Sequence, residues 1–318
     1  MRGVLINAPA HLHVGNPDIE GRYGRLYGTL GFTVSEPKVV VRARPGEPSC
    51  QCSRWEAEKI FSDFMVRYRE CPVQVEVVEE IPPHIGLGST TPLLLSIAHA
   101  ISTLCGKRFD PLIEAPRMGR GLVSGLGVHS YVHGGFIVDG GFRTSGKRSV
   151  PPLIFRAEIP GNLSFLIAVP SRPLPRILRL KEKEDEILEQ MPKMDPQMAD
   201  KLSRIVLMGI LPYIAEGDWI TAGKHITLFN RMLGEYWSKE QGGIYCCEES
   251  EILVELMEKR GAVLVAQSSW GPTVYGLFPE KREGEILPEI QETIETIGGG
   301  QAWIANPRNR GAKVIVQW

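Results

Sequence analysis

Apolar and polar residues alternate over residues 4–14, the period of a half-buried strand, and the alternation returns over 32–42 and 73–81. Residues 15–31, between the first two strands, form a loop rich in Gly, Tyr and Arg. Ser53-Arg54-Trp55-Glu56 has capping-box spacing and predicts a helix running to Glu70. A continuous apolar stretch predicts a helix over 92–104, and shorter runs predict strands at 136–142 and 153–159. The second half reads as a strand at 165–169, several helices, strands at 262–267 and 273–278, a helix at 285–297 and a strand at 312–317. That order suits a split β-α-β sandwich of the ferredoxin type with inserted helices.

Pro151-Pro152 and the charged run Lys181–Glu186, read as a solvated helix start, bracket the crossover between halves. The expected architecture is α+β with two domains, residues 1–160 and 161–318. With 318 residues, 43% of them hydrophobic, and a formal net charge of −1, each half has material for a core. Neither disorder nor bulk attraction to nucleic acid is suggested. No apolar run approaches a membrane span, the N-terminus lacks a secretory pattern, and a cytoplasmic protein is expected. The six cysteines show no C-x-x-C spacing, so they are expected to be buried or incidental thiols, Cys105 most clearly.

Pro82–Thr91 changes the picture from fold to chemistry. It leaves a strand, turns through Gly86 and Gly88, and reaches a helix start carrying Ser89, Thr90 and Thr91. Glycines let backbone approach a ligand, and unpaired N–H groups with a positive dipole end favour an anion. Two readings are open: a phosphate cradle, or an ordinary capped turn with Thr91 as N-cap and Pro92 in the first helical position. No Lys follows the second glycine, so this is not a Walker A loop. Arg22, Arg25, Arg117 and Arg120 lie in other glycine-rich loops, and Ser268, Ser269 and Gly271 lie in a loop between two predicted strands. Clustered guanidinium groups suit phosphate or carboxylate. His11 with His13, and His129 with His133, have spacings that can serve a metal, but no H-E-x-x-H pattern accompanies them and a dedicated transition-metal site is not expected. Asp139, before Gly140-Gly141, suits either an Asx-type turn or a role with Mg²⁺ or a substrate hydroxyl.

Pro82–Thr91 and the helix after it resemble the second motif of the GHMP small-molecule kinase superfamily. Ala8-Pro9-Ala10-His11-Leu12-His13 resembles its first motif, and Ser268–Phe278 its third. The resemblance implies a ribosomal-S5-like N-domain, a ferredoxin-like C-domain and a cleft between them. Gly24–Gly31, Gly119–Gly127, His133–Gly141 and Ser268–Thr273 are more similar to one branch, the β-ribofuranosylaminobenzene 5′-phosphate synthases of methanopterin biosynthesis. That branch implies phosphoribosyl pyrophosphate in place of ATP. The ribosyl carbon joins a para-substituted benzoate ring (4-amino or 4-hydroxy), and CO₂ and pyrophosphate leave.

Carried onto this sequence, the resemblance implies pyrophosphate at Gly86, Gly88, Ser89 and Thr90, with Mg²⁺ near Ser89 or Thr90 and with Glu114 and Asp139 as further candidate ligands. Arg22, Arg25, Arg117 and Arg120 are candidates for the 5′-phosphate or the carboxylate, with Ser268 and Gly271 beside them. His11, His13 or Ser269 would accept a proton or hydrogen bond from the ring substituent. A homodimer is a family expectation. Many GHMP kinases carry a general-base Asp where this chain has Leu126 and Gly127, which weakens the alternative of an ATP-dependent kinase. Residues 122–123 are also less basic than the branch leads one to expect. A non-catalytic ligand-binding relative is the third reading.

Overall fold

The computed structural model describes residues 3–171, 193–279 and 282–317. The run Lys181–Glu186 lies outside the described residues.

Strands β1 (Gly3–Gly15) and β3 (Thr29–Pro45) form the long antiparallel spine of a seven-stranded sheet. The short β2 (Arg25–Leu26) lies between them in the chain. The sheet is completed by β4 (Ser49–Gln51), β5 (Val73–Glu79), β6 (Phe136–Asp139), β8 (Leu153–Ala157) and β13 (Lys313–Gln317), while β2 pairs with β7 (Phe142–Arg143). Its path runs β13-β1-β3-β5-β4, with β6 bridging β3 and β8. Val4, Ile6, Ala8, Ala10, Leu12 and Val14 fill the core face of β1, as the alternation predicts. His11 and His13 therefore project from the other face, at a half-buried depth. Helices α1 (Trp55–Arg67), α2 (Thr90–Leu104), α3 (Pro111–Arg117) and α4 (Leu126–Val132) belong to this half.

The second sheet has the order β10-β11-β9-β12, built from β9 (Leu163–Pro170), β10 (Leu264–Gln267), β11 (Val274–Pro279) and β12 (Gly300–Ala305). All its pairings are antiparallel, the split β-α-β arrangement that the element order predicted. Helices α5 (Pro196–Arg204), α6 (Leu211–Glu216), α7 (Trp219–Gln241), α8 (Glu248–Lys259) and α9 (Glu283–Thr296) complete this half, a π-helical segment (Ile205–Ile210) joining α5 to α6. Every residue of β9 is buried because both faces are covered. Phe165 and Ile167 join the core shared with the first half, whereas Leu166 and Ala168 pack with Leu253, Met257 and Ile290 of α8 and α9.

Four local expectations are corrected. Ser53 does not cap α1: its hydroxyl donates to Glu80 at 2.6 Å, and Arg54 holds the N-cap position without a side-chain cap bond. Helix α2 starts at Thr90, with Ser89 rather than Thr91 at the N-cap. Strand β12 was not anticipated, and β13 returns to pair with β1, so the terminal strand lies in the first sheet. The cysteines are not all isolated thiols. The sulfurs of Cys50 and Cys52 are joined, and so are those of Cys71 and Cys105, whose Cα atoms lie 5.8 Å apart. Cys71 follows α1 and Cys105 ends α2, a pairing in space that local Cys spacing does not reveal.

Candidate active site

A cleft of about 700 Å³ lies where β1, the turn before α2, α7 and the β10–β11 loop meet. Its floor is the glycine turn, in which His84, Gly86 and Gly88 have φ of +61°, +94° and +66°. Gly88 is required twice over, by its left-handed backbone and because a Cβ there would fall on the His11 ring. A Cβ on Gly86 would stand 2.6 Å from the Ser268 carbonyl oxygen. Helix α2 has no acidic residue in its first turn and no side-chain cap, so its leading N–H groups are left to whatever enters the cleft. The Ser89 and Thr90 hydroxyls receive the Arg54 guanidinium at 3.3 and 2.7 Å. Arg120 Nε donates to Thr91 Oγ1 at 3.2 Å.

The β10–β11 loop locks onto this floor. Ser268 Oγ donates to the Gly86 carbonyl at 2.6 Å and accepts from the His13 N–H at 2.9 Å. Thr273 Oγ1 donates to the Ile85 carbonyl at 2.5 Å, and the Tyr275 hydroxyl to that of His13 at 3.3 Å. All three sequence motifs therefore meet in one place. Burial, the neighbouring His13 and the Arg120 charge hold His11 down at about 3, and burial holds His13 at about 4, so both imidazoles are neutral at physiological pH. His11 Nδ1 is buried without a hydrogen-bond partner, and the ring is wedged between Gly88 and Gly127. Trp237 of α7 and Trp270 of the β10–β11 loop also line it, edge to face with 4.7 Å between centroids, together with Leu233, Ile244 and Gln241. Among the described lining residues there is no carboxylate, while Arg120 and Arg148 bring two guanidinium groups.

The expected residues divide into two groups. His11, His13, Gly86, Gly88, Ser89, Thr90, Arg120 and Ser269 line the cleft. Ser268 is wholly buried behind it, and Gly271 turns the loop at φ +71° against the Cys246 sulfur. Arg22, Arg25, Arg117, Glu114 and Asp139 are not brought to it. Arg22 faces Glu20 and Asp200 near the surface, and Arg25 donates to the Gly140 and Gly141 carbonyls at 2.5 and 2.7 Å. Glu114 is clasped by Arg67 and Arg117 at 3.0 and 2.7 Å. Asp139 accepts from the Gly125 and Gly141 N–H groups, both at 2.9 Å, the Asx-type role. Burial raises its carboxyl to about 6 against those bonds. Ser89, Glu114 and Asp139 therefore do not form one ligand set, and no cluster of three His, Cys, Asp or Glu suited to a metal occurs among the described residues.

Arg54, Arg148, Trp237 and Trp270 were missed as site residues. Arg54 sat inside a plausible capping box, and Arg148 reaches the cleft from an exposed loop with its guanidinium 4.1 Å above the Phe142 ring. Trp270 lay within the third motif, but nothing local marked Trp237 as its partner.

Residues 56–135 match the family described as GHMP kinases N terminal domain, and residues 210–295 the one described as GHMP kinases C terminal. The β-ribofuranosylphenol 5′-phosphate synthase of Methanothermobacter thermautotrophicus is 30% identical over 98% of both chains. The chain belongs to this synthase family. The enzyme of that name from Methanocaldococcus jannaschii is 25% identical over 98% of this chain and all of its own. Solved structures show the fold alone. Homoserine kinase from Cytophaga hutchinsonii superposes with a TM-score of 0.69 at 17% identity, covering 98% of this chain and 97% of its own. Mevalonate diphosphate decarboxylase from Enterococcus faecalis gives 0.62 at 15%, with both chains fully covered. The two-domain GHMP-kinase fold expected from the motifs is thus the fold of this chain.

Proposed function

We propose that this chain joins the anomeric carbon of phosphoribosyl pyrophosphate to the ring of 4-hydroxybenzoate, releasing CO₂ and pyrophosphate, in methanopterin biosynthesis. The carrying observation is that one cleft brings together an uncapped helix N-terminus, the Arg120 guanidinium and an edge-to-face Trp pair. The phenol in the relatives' name favours the hydroxy acid over the amino acid as acceptor. Positions 126 and 127, a buried Leu and a cleft-lining Gly, offer no base for the phosphoryl transfer of a kinase.

In this reading the uncapped N–H groups at the start of α2 and the Arg120 guanidinium meet the charge that grows on departing pyrophosphate. Arg54 orients the two hydroxyls from behind. The edge-to-face Trp pair walls the acceptor ring, and its apolar surface holds the ring against the oxocarbenium-like carbon while excluding water. Ring attack at the carboxyl-bearing carbon breaks aromaticity, and loss of CO₂ restores it. Neutral His11, His13 or Ser269 would take a hydrogen bond from the para hydroxyl, pushing electron density into the ring. Arg148 would hold the carboxylate or the 5′-phosphate. Magnesium fits the lining residues poorly, because Ser89 and Thr90 already receive Arg54 and no described lining residue is a carboxylate. It belongs to the proposal only as a counter-ion carried by the substrate's own phosphate oxygens. A cytoplasmic homodimer is proposed on the donor's charge, which keeps it on one side of a membrane, and on family resemblance; sedimentation velocity reads the dimer. No helix of the described residues is long and apolar enough to cross a membrane.

The test uses 4-hydroxybenzoate and 4-aminobenzoate with labelled carboxyl carbon, each with phosphoribosyl pyrophosphate or ATP. Labelled CO₂ appearing with phosphoribosyl pyrophosphate and the hydroxy acid supports the reading. ATP consumption with a small alcohol and no labelled CO₂ from folded protein overturns it.

A further inference from the structure

Behind the β10–β11 loop lies a pair of cysteines that the chemistry above does not use. Cys246 and Cys247 are not disulfide-bonded, and their sulfurs stand 3.3 Å apart. Ser250 Oγ lies 3.4 Å from the first and 3.2 Å from the second, and donates to the Pro272 carbonyl at 3.1 Å. Cys246 is buried and Cys247 half-buried, so the second is the one a reagent reaches first. Cys247 is also the N-cap residue of α8, a twelve-residue helix whose positive end favours a thiolate.

We propose that Cys246 and Cys247 are a redox-reactive vicinal dithiol, closed to a disulfide by exchange with a low-molecular-weight disulfide, and that closure displaces the cleft loop Ser268–Gly271. In the first step the Cys247 thiolate attacks the reagent, forming a mixed disulfide and expelling one thiolate. In the second, the Cys246 sulfur attacks the Cys247 sulfur, gives its proton to the expelled thiolate and releases the second thiol. Two protein thiols are oxidised and one small disulfide is reduced to two thiols. The hydrogen bonds from the Cys246 thiol and the Ser250 backbone N–H hold the Cys247 thiol down at about 7, which supplies the attacking thiolate near neutral pH.

The coupling to the cleft is geometric. Bringing sulfurs 3.3 Å apart to a bond length of about 2.0 Å draws the two side chains together, and the loop feels any share of that movement taken by Cys246. Its sulfur packs against Gly271, where even a Cβ would stand only 2.6 Å away. Its N–H donates to Gln267 Oε1 at 2.7 Å, and Gln267 Nε2 donates on to the Ser269 carbonyl at 3.0 Å and to Gln241 Oε1 at 3.1 Å. Ser269, Trp270 and Gln241 line the cleft, so movement of Cys246 reaches it through one side chain.

Purified full chain, its two existing disulfides intact, is exposed to glutathione disulfide, alkylated and digested with trypsin. The peptide of residues 240–259 is expected unalkylated at both cysteines and lighter by two hydrogens. Phenylarsine oxide, which bridges close dithiols, is expected to bind one equivalent per untreated chain and none after oxidation or in Cys247→Ser. Oxidation should also shift the intrinsic fluorescence of the Trp237–Trp270 pair in the wild type and leave Cys247→Ser unchanged. A glutathione adduct retained on Cys247, or two alkylated cysteines, overturns the dithiol. A closed ring with unaltered fluorescence overturns its coupling to the loop. The peptide measurement uses the unmutated chain alone, and none of the three depends on the reaction catalysed.

Discussion

Arg54 touches both hydroxyls at the start of α2, and its side chain is only 11% exposed. Charge-assisted bonds of this kind are each worth about 1.5–3 kcal/mol, so Arg54→Ala should lower kcat/KM for phosphoribosyl pyrophosphate by about 10- to 100-fold. Lys keeps the charge and loses the fork, so Arg54→Lys should recover part of that loss. Steady-state kinetics with the donor varied decides; an unchanged kcat/KM would remove Arg54 from the site. His11 and His13 carry a different prediction. Folded, they take up protons only at about 3 and 4, against the ordinary 6.5. The unfolded chain binds more protons below 6.5, so their contribution is fully present above that pH and falls as pH drops, by up to about 1.4 kcal/mol per unit for each residue. Urea unfolding between about pH 7.5 and about pH 5 should show this decline, and His13→Asn should flatten it.

At the scale of elements, the disulfide from Cys71 to Cys105 ties the segment after α1 to the end of α2 across 34 positions. Closing a loop of that length in the unfolded chain is worth about 4 kcal/mol, so Cys71→Ser with Cys105→Ser should lose roughly that much in denaturant unfolding. Elements with a clean period were legible in the sequence. The alternation of β1 places His11 and His13 opposite the core, and the apolar run of α2 shows its length. The glycines of the second motif likewise announce a tight turn. Where several local solutions satisfy the same residues, tertiary contacts decide and the sequence is silent. Ser53 could cap α1 but finds Glu80; Asp139 could ligate a cation but satisfies two backbone N–H groups. Arg22, Arg25 and Arg117 share loop composition with Arg120, yet only Arg120 of the four is carried to the cleft, because Arg22 faces Glu20 and Asp200, the β2–β7 pairing engages Arg25, and Glu114 clasps Arg117. Trp237 meets Trp270 through the crossing of a helix and a loop that no sequence period encodes.

Over the whole molecule, the cleft is held by bonds between the halves. Ser268 Oγ makes two of these links, joining His13 N–H and the Gly86 carbonyl. Ser268→Ala leaves both backbone groups without this partner, at a cost of about 1–3 kcal/mol. The variant should unfold at lower denaturant and show a raised KM for phosphoribosyl pyrophosphate, because the turn loses its brace; an unaltered KM would make the link structural alone.

The pairing of β13 with β1 has a consequence for biosynthesis. Gly3 lies opposite Gln317, so one of the first strands to leave the ribosome waits for one of the last. During translation the edge of β1 that β13 later covers presents unpaired N–H and C=O groups, a template for a strand from another chain. The first half therefore cannot finish its sheet ahead of the second, and a nascent chain halted near residue 160 exposes the seam at which aggregation begins.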